Sequence, residues 1–175
     1  MSIFLISSFL IVIISLFLYL ILWRINTRKY ISSGTVASAY DSWTQDKILE
    51  RLWGEHIHLG FYPSNKNIDF REAKVKFVHE LVSWSGLDKL PRGSRVLDVG
   101  CGIGGSSRIL ANYYGFNVTG ITISPAQVKR ATELTPYDCT CNFKVMDALD
   151  LKFEEGEFDG VWSVEAGAHL SLIHI

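Results

Sequence analysis

The feature that most limits how this chain folds is a glycine-rich stretch at residues 96–107, Val-Leu-Asp-Val-Gly-Cys-Gly-Ile-Gly-Gly-Ser-Ser. Its apolar beginning, Val96–Val99, predicts a strand that is buried on both faces. Four glycines follow, at positions 100, 102, 104 and 105. Glycine permits a sharp turn and a close approach of a ligand to the backbone. Ser106 and Ser107 are predicted to cap a helix whose free N–H groups face this turn, so the stretch predicts a nucleotide-binding loop.

The spacing of the glycines fits two ligand classes, dinucleotides and S-adenosylmethionine (SAM). A dinucleotide-binding loop needs an acid about 20 residues later to hold a ribose hydroxyl. Here the next predicted strand ends in Thr122-Ile123-Ser124, without an acid. Asp98, at the end of the first strand, would repel a pyrophosphate but attract the ammonium and sulfonium of SAM. The sequence therefore favours SAM and disfavours a dinucleotide oxidoreductase.

Strands and helices alternate after residue 90. The predicted strands are 96–99, 116–123, 142–146 and 158–163, and the predicted helices between them are 107–114 and 125–134. Ser124 is expected to cap the second of these helices, with Pro125 in its first turn. This alternation predicts an α/β fold with a parallel sheet and right-handed crossovers.

The N-terminus is strongly apolar. Residues 1–23 contain no Asp, Glu, Lys or Arg, and they raise the mean hydropathy of the 175-residue chain to +0.18. A helix of this length would cross the ~30 Å hydrocarbon core of a bilayer. Arg24 and Arg28 follow directly, which predicts a single-pass membrane anchor with the catalytic domain cytoplasmic. A cleavable signal peptide is the weaker alternative, because no positive residue precedes the run.

A linker at 24–39 and an N-terminal helical lid at 40–90 are expected to precede a SAM-binding domain at 91–175. Within the lid, helices are predicted at 41–53 and 69–84, with a loop at 54–67. His56 and His58 lie in this loop and are interpreted as packing residues, since two histidines alone rarely bind a metal. The net charge of −1 gives no sign of nucleic-acid binding. The sequence thus predicts neither a metal nor a nucleic-acid partner.

Four stretches resemble the tocopherol and plastoquinone ring methyltransferases: Trp53–Tyr62, Val96–Leu110, Tyr114–Pro125 and Phe158–His169. The resemblance covers the chain from about Ile31 to His169. It implies a Rossmann-like SAM methyltransferase fold, with seven strands and a substrate cap in the family. Only four strands are predicted here, so the C-terminal strands are expected to be missing.

Ligands of open parallel sheets bind outside the carboxyl ends of the strands. The expected SAM-binding residues therefore lie at those ends: Asp98, Gly100, Cys101, Gly102, Gly104, Thr122, Ser124, Gln127, Asp147 and Ala148. Asp98 is assigned to the methionine ammonium, and Thr122, Ser124 and Gln127 are assigned in place of the missing ribose acid. The resemblance places Asp147 and Ala148 beside the adenine. An ordinary turn role remains open for Asp147.

Glu165 and His169 follow the fourth strand, four residues apart and on one face if a helix begins there. Methylation of a hydroquinone carbon is helped by removal of a phenolic proton, and a histidine is a suitable base. His169 is thus the candidate base, Glu165 would orient it, and Tyr40 would complete the enclosure. The alternative is that Glu165 positions SAM and His169 packs beneath the cap.

The resemblance implies a SAM-dependent C-methyltransferase for a prenylated benzoquinol, of 2-methyl-6-phytyl or solanesyl type, in tocopherol and plastoquinone synthesis. The prenyl tail would reside in the bilayer, with membrane lipid as a second partner. A gamma-tocopherol or sterol-type methyltransferase is the alternative within the enzymes. An inactive membrane-tethered fragment is the alternative outside them.

Overall fold

The structure is a computed structural model that describes residues 11–21, 33–64 and 67–167. The chain divides into two compact units, Met1–Ser32 and Ser33–Ile175. In the first unit, the described residues 11–21 are helical (α1). The second unit contains all the remaining described elements.

The membrane anchor expected at residues 1–23 is corrected by the structure. No helix within the described ranges is long and apolar enough to cross a membrane. The rest of the predicted anchor, residues 1–10, 22 and 23, lies outside the described residues. The membrane localisation and the cytoplasmic orientation that depended on this anchor are therefore wrong as stated.

Four parallel strands form one sheet in the order β3-β2-β1-β4: β1 Arg95–Val99, β2 Asn117–Thr122, β3 Cys141–Val145 and β4 Gly160–Trp162. Helix α5, Gly105–Asn112, connects β1 to β2, and α6, Pro125–Leu134, connects β2 to β3. The predicted α/β class is confirmed, and each predicted strand is present within a few residues of its expected bounds. Because all strands are parallel, their carboxyl ends meet at one edge of the sheet.

Three helices precede the sheet: α2 Ser33–Gln45, α3 Ile48–Trp53 and α4 Phe70–Ser85, followed by a 3-10 turn at Leu87–Lys89. The single helix predicted at 41–53 is broken at Lys47, whose backbone is left-handed (φ 52°). Helix α2 also begins well before Asp41, so residues 33–39 are helical although a linker was expected there.

Helix α4 begins and ends as its sequence predicts. The Asp69 carboxylate accepts a hydrogen bond from the Arg71 N–H at 2.8 Å, and Gly86 ends the helix in a left-handed conformation. The apolar face of α4, including Val78 and Val82, packs into the core formed with β1, α5 and β2. The core thus holds α4 on the sheet, and residues of the loop that precedes α4 lie at the carboxyl edge.

Candidate active site

A cavity of about 240 Å³ lies at the carboxyl edge of the sheet. Its floor is formed by residues at the ends of the strands: Asp98, Gly100, Cys101, Gly102, Thr122, Ala148 and Trp162. Its other walls come from α2 and from the loop after α3: Val36, Tyr40, Glu55, His56, Ile57 and His58. The structure therefore brings the predicted lid and the glycine loop together around one space.

Asp98 is the buried acid of this cavity. Its residue is only 2% exposed, and its Oδ2 accepts a hydrogen bond from the Ser107 hydroxyl at 2.5 Å. Burial raises the pKa of Asp98 to about 6, against the lowering effect of the Ser107 hydrogen bond. The Ser107 hydroxyl therefore hydrogen-bonds Asp98 and does not cap the helix. The serine cap predicted for α5 is wrong, because Gly104 precedes the helix without a side-chain cap.

The glycines of the loop divide into two roles. Gly102 lines the cavity with φ +56°, and a Cβ built on it would meet nothing within 4 Å. Gly104 does not line the cavity, and its Cβ would come within 2.6 Å of the Phe143 ring. Gly102 thus leaves open space for a ligand, whereas Gly104 allows close packing and is not placed at the ligand as predicted.

The end of β2 is polar and internally bonded. The Thr122 hydroxyl donates to Gln127 Oε1 at 2.7 Å, and both residues line the cavity. Ser124 is fully buried and does not line it. Its hydroxyl donates to Asp41 Oδ1 at 2.5 Å and accepts the Gln127 backbone N–H at 3.1 Å. The predicted helix cap at Ser124 is confirmed, and its other bond attaches α2 to α6 instead of facing a ligand.

The segment after β3 places Ala148 in the cavity wall, but not Asp147. The Asp147 carboxylate accepts the Leu149 backbone N–H at 2.9 Å, which is the bond of an Asx turn. This contact is the turn role that the sequence left open for Asp147. A role beside adenine stays a prediction for both residues.

The loop after α3 is fastened over the glycine turn. Lys74 on α4 is buried, and its ammonium donates to the carbonyls of Trp53 at 2.9 Å and His56 at 2.7 Å. Glu55 pairs with Arg108 of α5 at 2.5 Å. A Cβ on Gly105 would come within 2.6 Å of the Glu55 carbonyl oxygen, so the loop backbone lies directly on the start of α5.

His56 and His58 are joined within this loop. His58 Nδ1 lies 2.7 Å from the Leu59 carbonyl oxygen, and its Nε2 lies 3.2 Å from His56 Nδ1. Burial lowers the pKa of both rings, that of His56 to about 4 with further lowering by His58, Arg108 and Lys74. Sequence reasoning gave these histidines no ligand role. Their alternate spacing in an extended segment was the available signal, because residues i and i+2 there share a face.

Glu165 lies in the cavity wall with φ +54°, a strained backbone conformation for a side chain of this kind. Its Oε1 accepts the Leu59 backbone N–H at 3.1 Å, which links the end of β4 to the loop. The helical start predicted here is therefore wrong at Glu165. His169 lies outside the described residues, so its predicted pairing with Glu165 stays a prediction.

Tyr40 and Trp162 complete the walls. Burial raises the pKa of the Tyr40 hydroxyl, which keeps it protonated at neutral pH. The indole N–H of Trp162 is buried and has no hydrogen-bond partner among the residues that the structure describes. Since an unpaired buried donor is costly, this N–H is suited to a ligand acceptor. Trp162 was not singled out from the sequence.

These features define a class. An open parallel sheet, a glycine loop after its first strand and a buried acid beside that loop are the arrangement of a Rossmann-like nucleotide-binding domain. Residues 96–174 match the family described as "Methyltransferase domain". Among the described residues, no group of three or more His, Cys, Asp or Glu side chains could hold a metal ion. The absence of a metal stays a prediction.

Two curated relatives narrow the comparison. The 2-methyl-6-phytyl-1,4-hydroquinone methyltransferase of Synechocystis sp. is 63% identical over 85% of this chain and 47% of that protein. The chloroplastic tocopherol O-methyltransferase of Arabidopsis thaliana is 41% identical over 70% of this chain and 38% of that protein. The resemblance to the tocopherol and plastoquinone ring methyltransferases is thus confirmed, and the chain spans half or less of the length of these relatives.

A solved structure supports the fold. Phosphoethanolamine N-methyltransferase 2 of Haemonchus contortus, in complex with phosphomonomethylethanolamine and S-adenosylhomocysteine, is 25% identical with a TM-score of 0.59. The match covers 74% of this chain and 27% of that one. The predicted Rossmann-like SAM methyltransferase fold is confirmed at this level.

Proposed function

We propose that the protein transfers a methyl group from SAM to a ring carbon of a prenylated 1,4-hydroquinone. The observation that carries the proposal is the buried carboxylate of Asp98 beside the open face of Gly102 in one cavity. Among the described residues Asp98 has no cationic side-chain partner, and such a buried acid suits a cationic ligand. The hydroquinone is supported by the 63% identity to the Synechocystis enzyme.

The residues present fit SAM. Asp98 would hold the methionine ammonium, and the backbone at Gly102 would lie against the methionine chain. Thr122 and Gln127 would serve the ribose hydroxyls, with Ala148 at the adenine. When bound, SAM supplies an electrophilic methyl group. The chain's own task is to orient it toward the apolar side of the cavity, where Val36, Ile57 and Val164 contribute to the walls.

The ring must become electron-rich at the carbon that is methylated. Removing a phenolic proton achieves this, and His169 is our candidate base because it follows the fourth strand and a histidine is a suitable base. Tyr40, protonated in the cavity wall, would hydrogen-bond the ring and not deprotonate it. Glu165 would fix the segment after β4 through its bond to Leu59.

We expect His169→Ala to lower turnover by a factor of about 10² to 10⁴, the usual contribution of a positioned base. SAM affinity should stay nearly unchanged, because the change is at the acceptor. Turnover and SAM affinity of the parent and the variant, measured side by side at pH 7, test this. A variant that turns over at the parent rate would show that His169 is a packing residue.

SAM affinity should also depend on pH. The carboxyl of Asp98 has a pKa raised to about 6 by burial, so it is largely protonated at pH 5 and largely ionised at pH 7. Since only the carboxylate attracts the ammonium, the dissociation constant should fall about tenfold from pH 5 to pH 7. Calorimetric titration across this range measures the slope. Asp98→Asn should show a flat profile, and a parent profile equally flat would remove Asp98 from the site.

The substrate class is tested by labelled methyl transfer. The full chain is incubated with labelled SAM and, separately, 2-methyl-6-phytyl-1,4-hydroquinone, its solanesyl counterpart, gamma-tocopherol and a sterol. Label in the two hydroquinones supports the proposal. Label only in gamma-tocopherol favours the activity of the Arabidopsis relative, label only in the sterol favours a sterol-type enzyme, and no label in any acceptor supports an inactive fragment.

A further inference from the structure

Hydrogen-bond direction fixes the protons of the histidine pair. The Leu59 carbonyl oxygen can only accept, so His58 Nδ1, at 2.7 Å, must carry a proton. The neutral ring then has a bare Nε2, which accepts from His56 Nδ1 at 3.2 Å. The proton of His56 is thereby placed on Nδ1, and its Nε2 is left as a bare acceptor.

That acceptor is not used by any donor within the described part of the chain. His56 lines the cavity, and no residue in the described part of the chain donates to its Nε2. The ring is held in place by the Lys74 bond to the His56 carbonyl and by close packing on Gly105. Burial, together with His58 and the nearby cations of Arg108 and Lys74, keeps the pKa of His56 low, so the ring stays neutral and Nε2 stays unprotonated.

We propose that His56 Nε2 accepts a hydrogen bond from a hydroxyl of the substrate ring, and that this contact selects the reduced hydroquinone over the oxidised quinone. The inference rests on the proposed function and names a specificity determinant within it. A hydroquinone oxygen carries a proton to donate, whereas a quinone oxygen has only lone pairs. Bound against a bare nitrogen, the quinone leaves two acceptors facing each other in a desolvated space.

His58 is a positioning residue in this arrangement. It locks the tautomer of His56 because its own proton is taken by Leu59. Both backbone polar groups of Leu59 are bonded, because its carbonyl oxygen accepts from His58 and its N–H donates to Glu165 Oε1 at 3.1 Å. Without His58, the His56 ring could carry its proton on either nitrogen and donate to a quinone.

The test compares binding of the two redox forms. The full chain, saturated with S-adenosylhomocysteine, is titrated anaerobically with 2-methyl-6-phytyl-1,4-hydroquinone and with the corresponding quinone. The parent should prefer the hydroquinone by about tenfold or more. His56→Phe should lower this preference to within about threefold. His56→Gln should raise quinone affinity, because the amide can donate as well as accept.

His58→Phe should reduce the preference while His56 is intact, which a purely structural role for His56 does not predict. His79→Phe is the matched control, because His79 is a partly buried histidine bonded to the Tyr114 hydroxyl and does not line the cavity. Its preference should equal that of the parent. S-adenosylhomocysteine affinity within twofold of the parent identifies folded variants, and His56→Gln and His58→Phe each decide the question if His56→Phe does not fold.

The outcomes separate two failures. This inference alone is overturned if the parent methylates the hydroquinone and the His56 and His58 variants show the same preference for the hydroquinone as the parent. The same holds if the parent binds both forms equally. A parent that transfers no methyl group to any hydroquinone overturns the proposed function, and this inference with it.

Discussion

Gly102→Val is expected to weaken SAM binding by about 100-fold or more. The Cβ position of Gly102 faces open space in the cavity, with nothing within 4 Å, so the added side chain would fill the volume assigned to the methionine chain. The substitution also strains a backbone with φ +56°. Calorimetric titration with SAM measures the first effect, and thermal unfolding of the ligand-free protein measures the second.

Gly156→Val separates the two effects. Gly156 has φ +74°, its Cβ would also meet nothing within 4 Å, and it does not line the cavity. Its backbone penalty should therefore be similar, about 1–2 kcal/mol, while SAM affinity stays at the parent value. Equal SAM affinities in the two variants would mean that Gly102 is only a turn residue.

Asp98→Asn should weaken SAM binding by about 30-fold or more, because it removes the buried charge assigned to the ammonium. The same variant should stabilise the ligand-free protein at pH 7. Burial raises the pKa of Asp98 from 3.8 to about 6, so the folded state binds its proton more tightly than the unfolded state. The stability from this group is fully present below about pH 4 and lost as pH rises through 6, by up to about 3 kcal/mol.

Asparagine removes that loss and keeps an oxygen for the Ser107 hydroxyl. Ser107→Ala is the control, since it deletes the hydrogen bond but keeps the charge. Its SAM affinity should fall only a few-fold. Chemical denaturation at pH 5 and pH 7, with SAM titration at pH 7, distinguishes the variants. An Asp98→Asn protein that binds SAM like the parent would contradict the site.

The sheet was predictable because strand burial, glycine turns and helix caps act over short distances. Val96–Val99, the Ser124 cap and the stop after Leu134 each carry their own local signal. The break at Lys47 carries none, since no glycine or proline marks it and a lysine with φ 52° is uncommon. The anchor prediction depended on the apolar run at residues 1–23 and the arginines after it, and of that run the structure describes only residues 11–21, which are helical.

The site was predictable where it follows from topology. Asp98 and Thr122 lie at the ends of β1 and β2, Gly102 and Gln127 follow shortly after those strands, and parallel strands bring these ends together. Ser124 and Gly104 lie just as near in sequence, but Ser124 hydrogen-bonds Asp41 and Gly104 packs against Phe143. Only the folded structure shows these partners. The sequence did not predict that the histidine pair lines the cavity, because distant contacts place it there. Lys74 binds the loop carbonyls, and Gly105 packs against Glu55 and His56.

The most direct test of the account is where a transferred methyl group is found. The protein is incubated anaerobically with SAM carrying a ¹³C methyl group and with 2-methyl-6-phytyl-1,4-hydroquinone, and the product is analysed by NMR. We expect the label on a ring carbon, coupled to an aromatic ring position. Label on a ring oxygen, or no label in the product while SAM is bound, would contradict the account.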